Sequence, residues 1–227
     1  MTANTIQARQ LLFAAQVILA GVILSGPVAV AVVEFLAPQP AWQDATTLIS
    51  HYSWIQSSPY VFGFLIAVGF LFLMSVLVDV ALDAHRPLAR AALAFTAVSA
   101  SLIFFNYTLQ TAFVPLWLHR SPSAVSMVTM ANPDSLGWSL EMYGYGLLGI
   151  ATACAAPVFE PQGRRRLIRL FLILNCILSV IGAVLVPIIP GWVLTPWGMV
   201  AGAFWNILIA VTMIMIMVEF RQQHTTG

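Results

Sequence analysis

Glu141 lies in the segment LGWSLEMYGYGLL, residues 136–148, with Trp138 three positions before it and Tyr145 four after. On a helix those spacings place all three side chains on one face, so an acid stands between two aromatic rings. A carboxyl so placed can give its proton to a carbonyl or an alkene, or carry a proton in transit. Ring faces nearby can stabilise positive charge. Asn106 and Gln110 form a second set four residues apart, with Tyr107 on their flank and Ser99 and Ile103 along the same helix. Trp205 beside Asn206, and Asn175 with Ser179, complete the polar groups found inside otherwise apolar segments.

The elements carrying these groups belong in a membrane. Hydrophobic residues make up 60% of the 227 and charged residues only 7%, whereas soluble domains carry roughly 25% charged residues. Residues 10–33, 45–78, 91–119 and 170–218 contain no Asp, Glu, Lys or Arg, and each run exceeds the roughly 20 apolar residues that span a bilayer as a helix. Turn signals divide the chain into an all-α polytopic bundle with six transmembrane helices, at about 11–37, 59–82, 88–118, 136–159, 166–188 and 196–220. These form a single transmembrane domain over residues 1–227. Pro38 and Pro40, Pro87, Pro133, Pro161 and Gly163, and the run from Pro187 to Pro196 supply the breaks. Pro27 and Pro157 fall inside spans, where they are expected to kink the helix. The first span reads as uncleaved, because its apolar run continues past the small residues Ala29 and Ala31.

Arginine placement gives the direction. With both termini cytoplasmic, eight of the nine arginines lie inside and only Arg120 outside, as the positive-inside rule requires. The run Arg164 to Arg166 reads as a topology anchor. The two longer outer loops, with Trp42, Tyr52 and Trp54 in one and Val125, Met127 and Met130 in the other, suit segments lying in the interface.

Several chemistries are excluded. The chain has no lysine, which removes Schiff-base attachment of retinal or pyridoxal and a lysine nucleophile. A net charge of +1 leaves no nucleic-acid footprint. Histidines 51, 85, 119 and 224 map to loops or the tail with no ligand pair on a helix, and no metal or other cofactor is implied. Cys154 and Cys176 fall within spans and read as small packing residues.

In this topology Glu141 sits about five residues, roughly 8 Å, below the outer end of its helix. Gln110 reaches its depth, and Asn106 lies one turn deeper. Glu141 is the candidate catalytic residue, with Asn106, Tyr107, Gln110, Trp138, Tyr145, Trp205 and Asn206 as candidate ligand-binding residues lining one polar cavity. Ser99, Asn175 and Ser179 read instead as packing hydrogen bonds, which are worth about 0.6 kcal/mol each in membrane helices. Tyr143 reads as an interface anchor. Glu34, Asp79, Asp83 and Asp134 read as structural, with Asp134 capping the fourth helix and Asp79 available to Arg86 or Arg90.

The segment from Asn132 through Glu141 to Phe159 resembles a pattern in bacterial six-span integral membrane proteins, which implies a bacterial plasma (inner) membrane location. A fainter similarity links Trp138, Glu141 and Tyr145 to membrane-embedded terpene cyclases, whose acids protonate an isoprenoid. That resemblance implies acid catalysis at Glu141, although those cyclases have seven spans and a second deep acid. Three functions remain open. One is a pocket for an amphipathic or isoprenoid-like molecule, extending to an acid-catalysed cyclase or isomerase; the second is a proton-linked transporter or channel. The third is a noncatalytic assembly or sensory subunit.

Overall fold

A computed structural model describes residues 3–225, and side chains over residues 6–221. The termini beyond them, and the side chain of His224, lie outside the described residues. Every regular element among these residues is helical. Helix α1 (Ala3–Ile23) passes through a π-helical turn (Leu24–Val28) into α2 (Ala29–Leu36), and α3 (Ala45–His51) follows in the first long loop. Helix α4 spans Ser58–Val80, and α5 (Arg86–Thr108) continues through a second π-helical turn (Leu109–Phe113) into α6 (Val114–Trp117). The second long loop holds α7 (Pro122–Val128). The chain then forms α8 (Leu136–Ala155), α9 (Gly163–Leu185) and α10 (Pro196–Thr225).

Among the described residues five helical stretches are long and apolar enough to cross a membrane: Ile6–Leu36, Trp54–Val80, Arg86–Trp117, Gly163–Leu185 and Pro196–Arg221. Helix α8 is not among them. Its 20 residues reach about 30 Å at the usual helical rise, but Trp138, Ser139, Glu141, two tyrosines and four glycines dilute its hydropathy. It nevertheless occupies a full place in the bundle, packed between α5 and α9. Successive long helices pack side by side, and α10 closes the ring against both α9 and α1.

Small residues let these helices approach. A Cβ on Gly21 of α1 would lie 2.9 Å from the Ile66 backbone nitrogen and 2.8 Å from its side chain, and one on Gly69 of α4 would lie 2.6 Å from Ile18. The two contacts are reciprocal, glycine against isoleucine in both directions, and fix the α1–α4 crossing. The interior of one half of the bundle is filled by Leu11, Ile18, Phe70, Leu73, Met213 and Ile216. At the opposite end α3 and α7 pack on each other over α6, burying Leu48, Val114, Leu118 and Val125.

Charge marks the ends. Arg165 Nε donates to Glu219 at 2.9 Å, with Arg164 at 3.6 Å from the same carboxylate and Glu160 at 3.9 Å from Arg165. Arg86 pairs with Asp83 at 2.7 Å, not with Asp79 as the sequence suggested, because three residues on one turn are nearer than seven across a helix break. At the far end the Asp44 carboxyl caps α3, and the backbone and side-chain bonds from Thr47 hold its pKa below the usual range.

Two local expectations are corrected. Ser135, not Asp134, caps α8: its hydroxyl accepts from the Trp138 backbone N–H, while the Asp134 N–H is engaged by Asn132. Pro157 ends its helix instead of kinking it, because the chain tightens into a 3-10 turn (Ala156–Val158) as soon as α8 ends at Ala155. Pro27 acts as expected, and Gly26 before it leaves helical geometry at φ −88°, ψ −105°.

The α1–α4 crossing yields a stability prediction. Gly21→Ala is expected to destabilise the fold by about 1–3 kcal/mol through overpacking, read as a lower Tm in detergent. Gly202→Ala, with nothing within 4 Å of the added Cβ, is expected to leave Tm unchanged or raised.

Candidate functional site

The antiparallel pair α5 and α8 builds the site. Ser99 Oγ donates to the Gly144 carbonyl at 2.6 Å, and Gly144 leaves room for Ile103, which draws the two helices together one turn inward of Glu141. Glu141 then faces two donors from α5: Asn106 Nδ2 reaches Oε2 at 2.9 Å and the Tyr107 hydroxyl reaches Oε1 at 2.8 Å. Both donors are buried, as is the acid, which retains 8% exposure. The Tyr107 and Tyr145 hydroxyls lie 3.2 Å apart and extend the chain of bonds along α8.

Gln110 does not touch the acid. Its amide nitrogen donates to Asn106 Oδ1 at 3.2 Å and to the Val128 carbonyl at 2.9 Å, while its oxygen accepts from the Met130 N–H at 3.0 Å. This ties the loop after α7 to α5 and fixes which way the Asn106 amide points, so that its nitrogen faces Glu141. The Met130 carbonyl accepts from Trp138 Nε1 at 2.8 Å, holding that indole in place. The depth assignments from sequence were therefore one turn out of register: Asn106, not Gln110, lies level with the carboxyl. The π-helical turn at Leu109–Phe113 and the tilt between helices are not encoded in a count of 1.5 Å per residue.

A second network joins α8, α9 and α10. Trp205 Nε1 donates to Ser179 Oγ at 3.2 Å, Ser179 to Asn175 Oδ1 at 3.3 Å, and Asn175 Nδ2 to Thr152 Oγ1 at 3.0 Å. Thr152 donates on to backbone carbonyls of Gly149 and Leu172. The Trp205 ring meets Tyr145 edge to face at 4.7 Å, so the two networks converge at that pair.

Between them lies a cavity of about 490 Å³. Glu141, Tyr107, Trp138, Tyr145, Trp205 and Asn206 line it, whereas Asn106 and Gln110 stand behind the wall. Asn206 faces the kink at Gly26, with its amide nitrogen bonded to the Gly202 carbonyl at 2.8 Å. Ser179 reaches the cavity and Asn175 does not. Glu34 is exposed on α2 and does not join Glu141, and Tyr143 points outward, 48% exposed.

Tyr60, Met130 and Trp192 also line the cavity. Sequence reasoning missed them because each lies at a helix end or in a loop, and only Trp192, within a proline-broken turn, carried any local signal.

No arginine is among the residues that line the cavity. Beside Tyr145, Thr96 and Ser99 lies a separate void of about 10 Å³, the size that holds one water. Beyond it the apolar core fills the bundle. Among the described residues no group of three or more His, Cys, Asp or Glu side chains could hold a metal ion. No protein-family model matches the chain, and no curated protein or solved structure matches it significantly.

The two shells of this site should separate experimentally. Gln110→Leu strips partners from the Met130 N–H and the Val128 carbonyl, at a cost of about 1–3 kcal/mol for each buried group left unpaired. Backbone hydrogen exchange at Met130 and Ala131 is expected to accelerate. Tyr107→Phe, which removes only the hydroxyl bonded to the carboxyl and to Tyr145, is expected to leave exchange in that loop unchanged.

Proposed function

We propose that this chain is a six-span membrane protein, with α8 as the sixth span and both termini cytoplasmic, that binds an amphipathic or isoprenoid-like small molecule in its outer half. The supporting observation is the cavity itself: about 490 Å³ lined mainly by apolar and aromatic side chains, with a single carboxyl held by fixed donors. Its size and its sparse, convergent polar groups match small-molecule sites in general. Val30, Met199 and Phe204 line it while remaining 54%, 58% and 47% exposed, so an apolar chain can enter sideways from lipid beside α10. The packed core at the other end argues against a proton or solute path through the bundle.

Arginines 9, 86, 90, 164–166, 169 and 221 belong to helix ends on the side opposite the cavity. Their gathering supports reading that face as cytoplasmic, with the cavity toward the outer leaflet of a membrane we take to be a bacterial plasma membrane.

Topology is tested by labelling in a cysteine-free background. A cysteine at Ser123 is expected to react with a membrane-impermeant maleimide in intact spheroplasts, and one at Gln162 only after permeabilisation. Labelling of the Gln162 position from outside would show that α8 does not cross.

Binding is tested by extracting the purified protein and identifying what copurifies. A stoichiometric amphipathic molecule is expected from the wild type. In Gly202→Trp, which fills open space on the cavity wall, it is expected to be lost. Equal recovery from both, or none from either, would overturn the binding assignment.

A further inference from the structure

Glu141 is the one ionisable acid or base among the side chains lining the cavity, other than tyrosine; no arginine or histidine joins it there. Among the described residues it takes part in no ion pair, since the salt bridges all lie at the arginine-rich end. Its two hydrogen bonds come from neutral donors, one to each oxygen, and a carboxylate has about four acceptor positions. Capacity therefore remains on the side that faces the cavity. A buried charge is normally paired, and here the protein offers no counter-charge.

Aromatic rings crowd the same place. Trp138 and Tyr145 lie on the face of α8 that carries Glu141, Tyr107 bonds to the acid, Tyr60 packs on Tyr107 with ring centres 5.6 Å apart, and Trp205 packs on Tyr145. Rings of this kind attract cations through their electron-rich faces, and quaternary ammonium groups are the usual beneficiaries. An anionic head group would meet the carboxylate with no cation beside it.

We propose that the cavity recognises an amphipathic cation, an amine or quaternary ammonium head seated at Glu141 among these rings, with its apolar chain directed toward lipid beside α10. This rests on the binding assignment above and adds the sign of the ligand's charge. The lateral direction follows from the exposure of Val30 and Met199 on the cavity wall and from α2 packing more on α4 than on α10.

The experiment uses the full chain in nanodiscs of neutral lipid and three probes of equal chain length: dodecyltrimethylammonium, dodecanol and dodecyl sulfate. Calorimetric titration, corrected against empty nanodiscs, is expected to show the ammonium binding at least tenfold tighter than the alcohol and the sulfate weakest. Glu141→Gln is expected to abolish the preference while dodecanol still binds, which also shows that the variant is folded. Glu141→Asp, which keeps the charge, is expected to retain it. Equal affinity for ammonium and alcohol in the wild type, or a preference that survives in Glu141→Gln, would overturn the charge assignment and leave the binding pocket standing. If no probe binds, or binding is unaffected by Gly202→Trp, the pocket assignment fails as well.

Discussion

An ionisable group inside a hydrocarbon-facing bundle must be met by fixed polar partners, and the bonds from Asn106 and Tyr107 to Glu141 meet that requirement here. Much of the half that holds the cavity follows from them. For two consecutive residues of α5 to reach one carboxyl on α8, the helices must lie close and in a single register, which Gly144 and the bond from Ser99 to its carbonyl secure. For Asn106 to present nitrogen instead of oxygen, Gln110 must hold its other end. Gln110 in turn draws the Val128–Met130 loop onto the bundle, and that loop anchors Trp138. One carboxyl thus organises two helices, a loop and an indole.

The two halves of the bundle solve different problems. Toward the arginine-rich end the interior is mostly apolar, with the Asn175–Thr152 bonds and Thr96 buried in it, and helix ends carry ion pairs, Arg86 with Asp83 exposed and Arg165 with Glu219 half-buried. Toward the other end the path from α1 to α2 breaks at Gly26 and Pro27, and α2 packs more on α4 than on α10. The break opens space that a continuous helix would have filled. A packed half at the arginine-rich end gives the rigidity against which an open half around the cavity can persist.

Much of the local structure was legible because it follows from chemistry near in sequence. Prolines at helix starts, apolar runs of spanning length and the carboxyl three and four residues from aromatic partners all read correctly as patterns. Where two local solutions compete, the reading failed: Asp134 and Ser135 are both good caps, and the hydroxyl was the one positioned to reach the Trp138 N–H. Pro157 stands close enough to a helix end that termination replaces a kink. The register between Asn106 and Gln110 slipped by a turn because helix tilt and a π-helical turn change depth without changing residue count.

The sequence by itself determined that this chain is helical and apolar enough for a membrane, that Pro27 bends its first long helix, and that Glu141 stands apart from every other charge. Those properties depend on composition and on contacts within a turn or two. Only the tertiary structure decided that Asn106 is the acid's partner and Gln110 a tether, that Tyr60, Met130 and Trp192 join the wall, and that a cavity exists. Each of those depends on how separate helices cross, which is set by close contacts such as Gly21 on Ile66 and by the bend at Gly26. Residues far apart in the chain meet there, and no local pattern records the meeting.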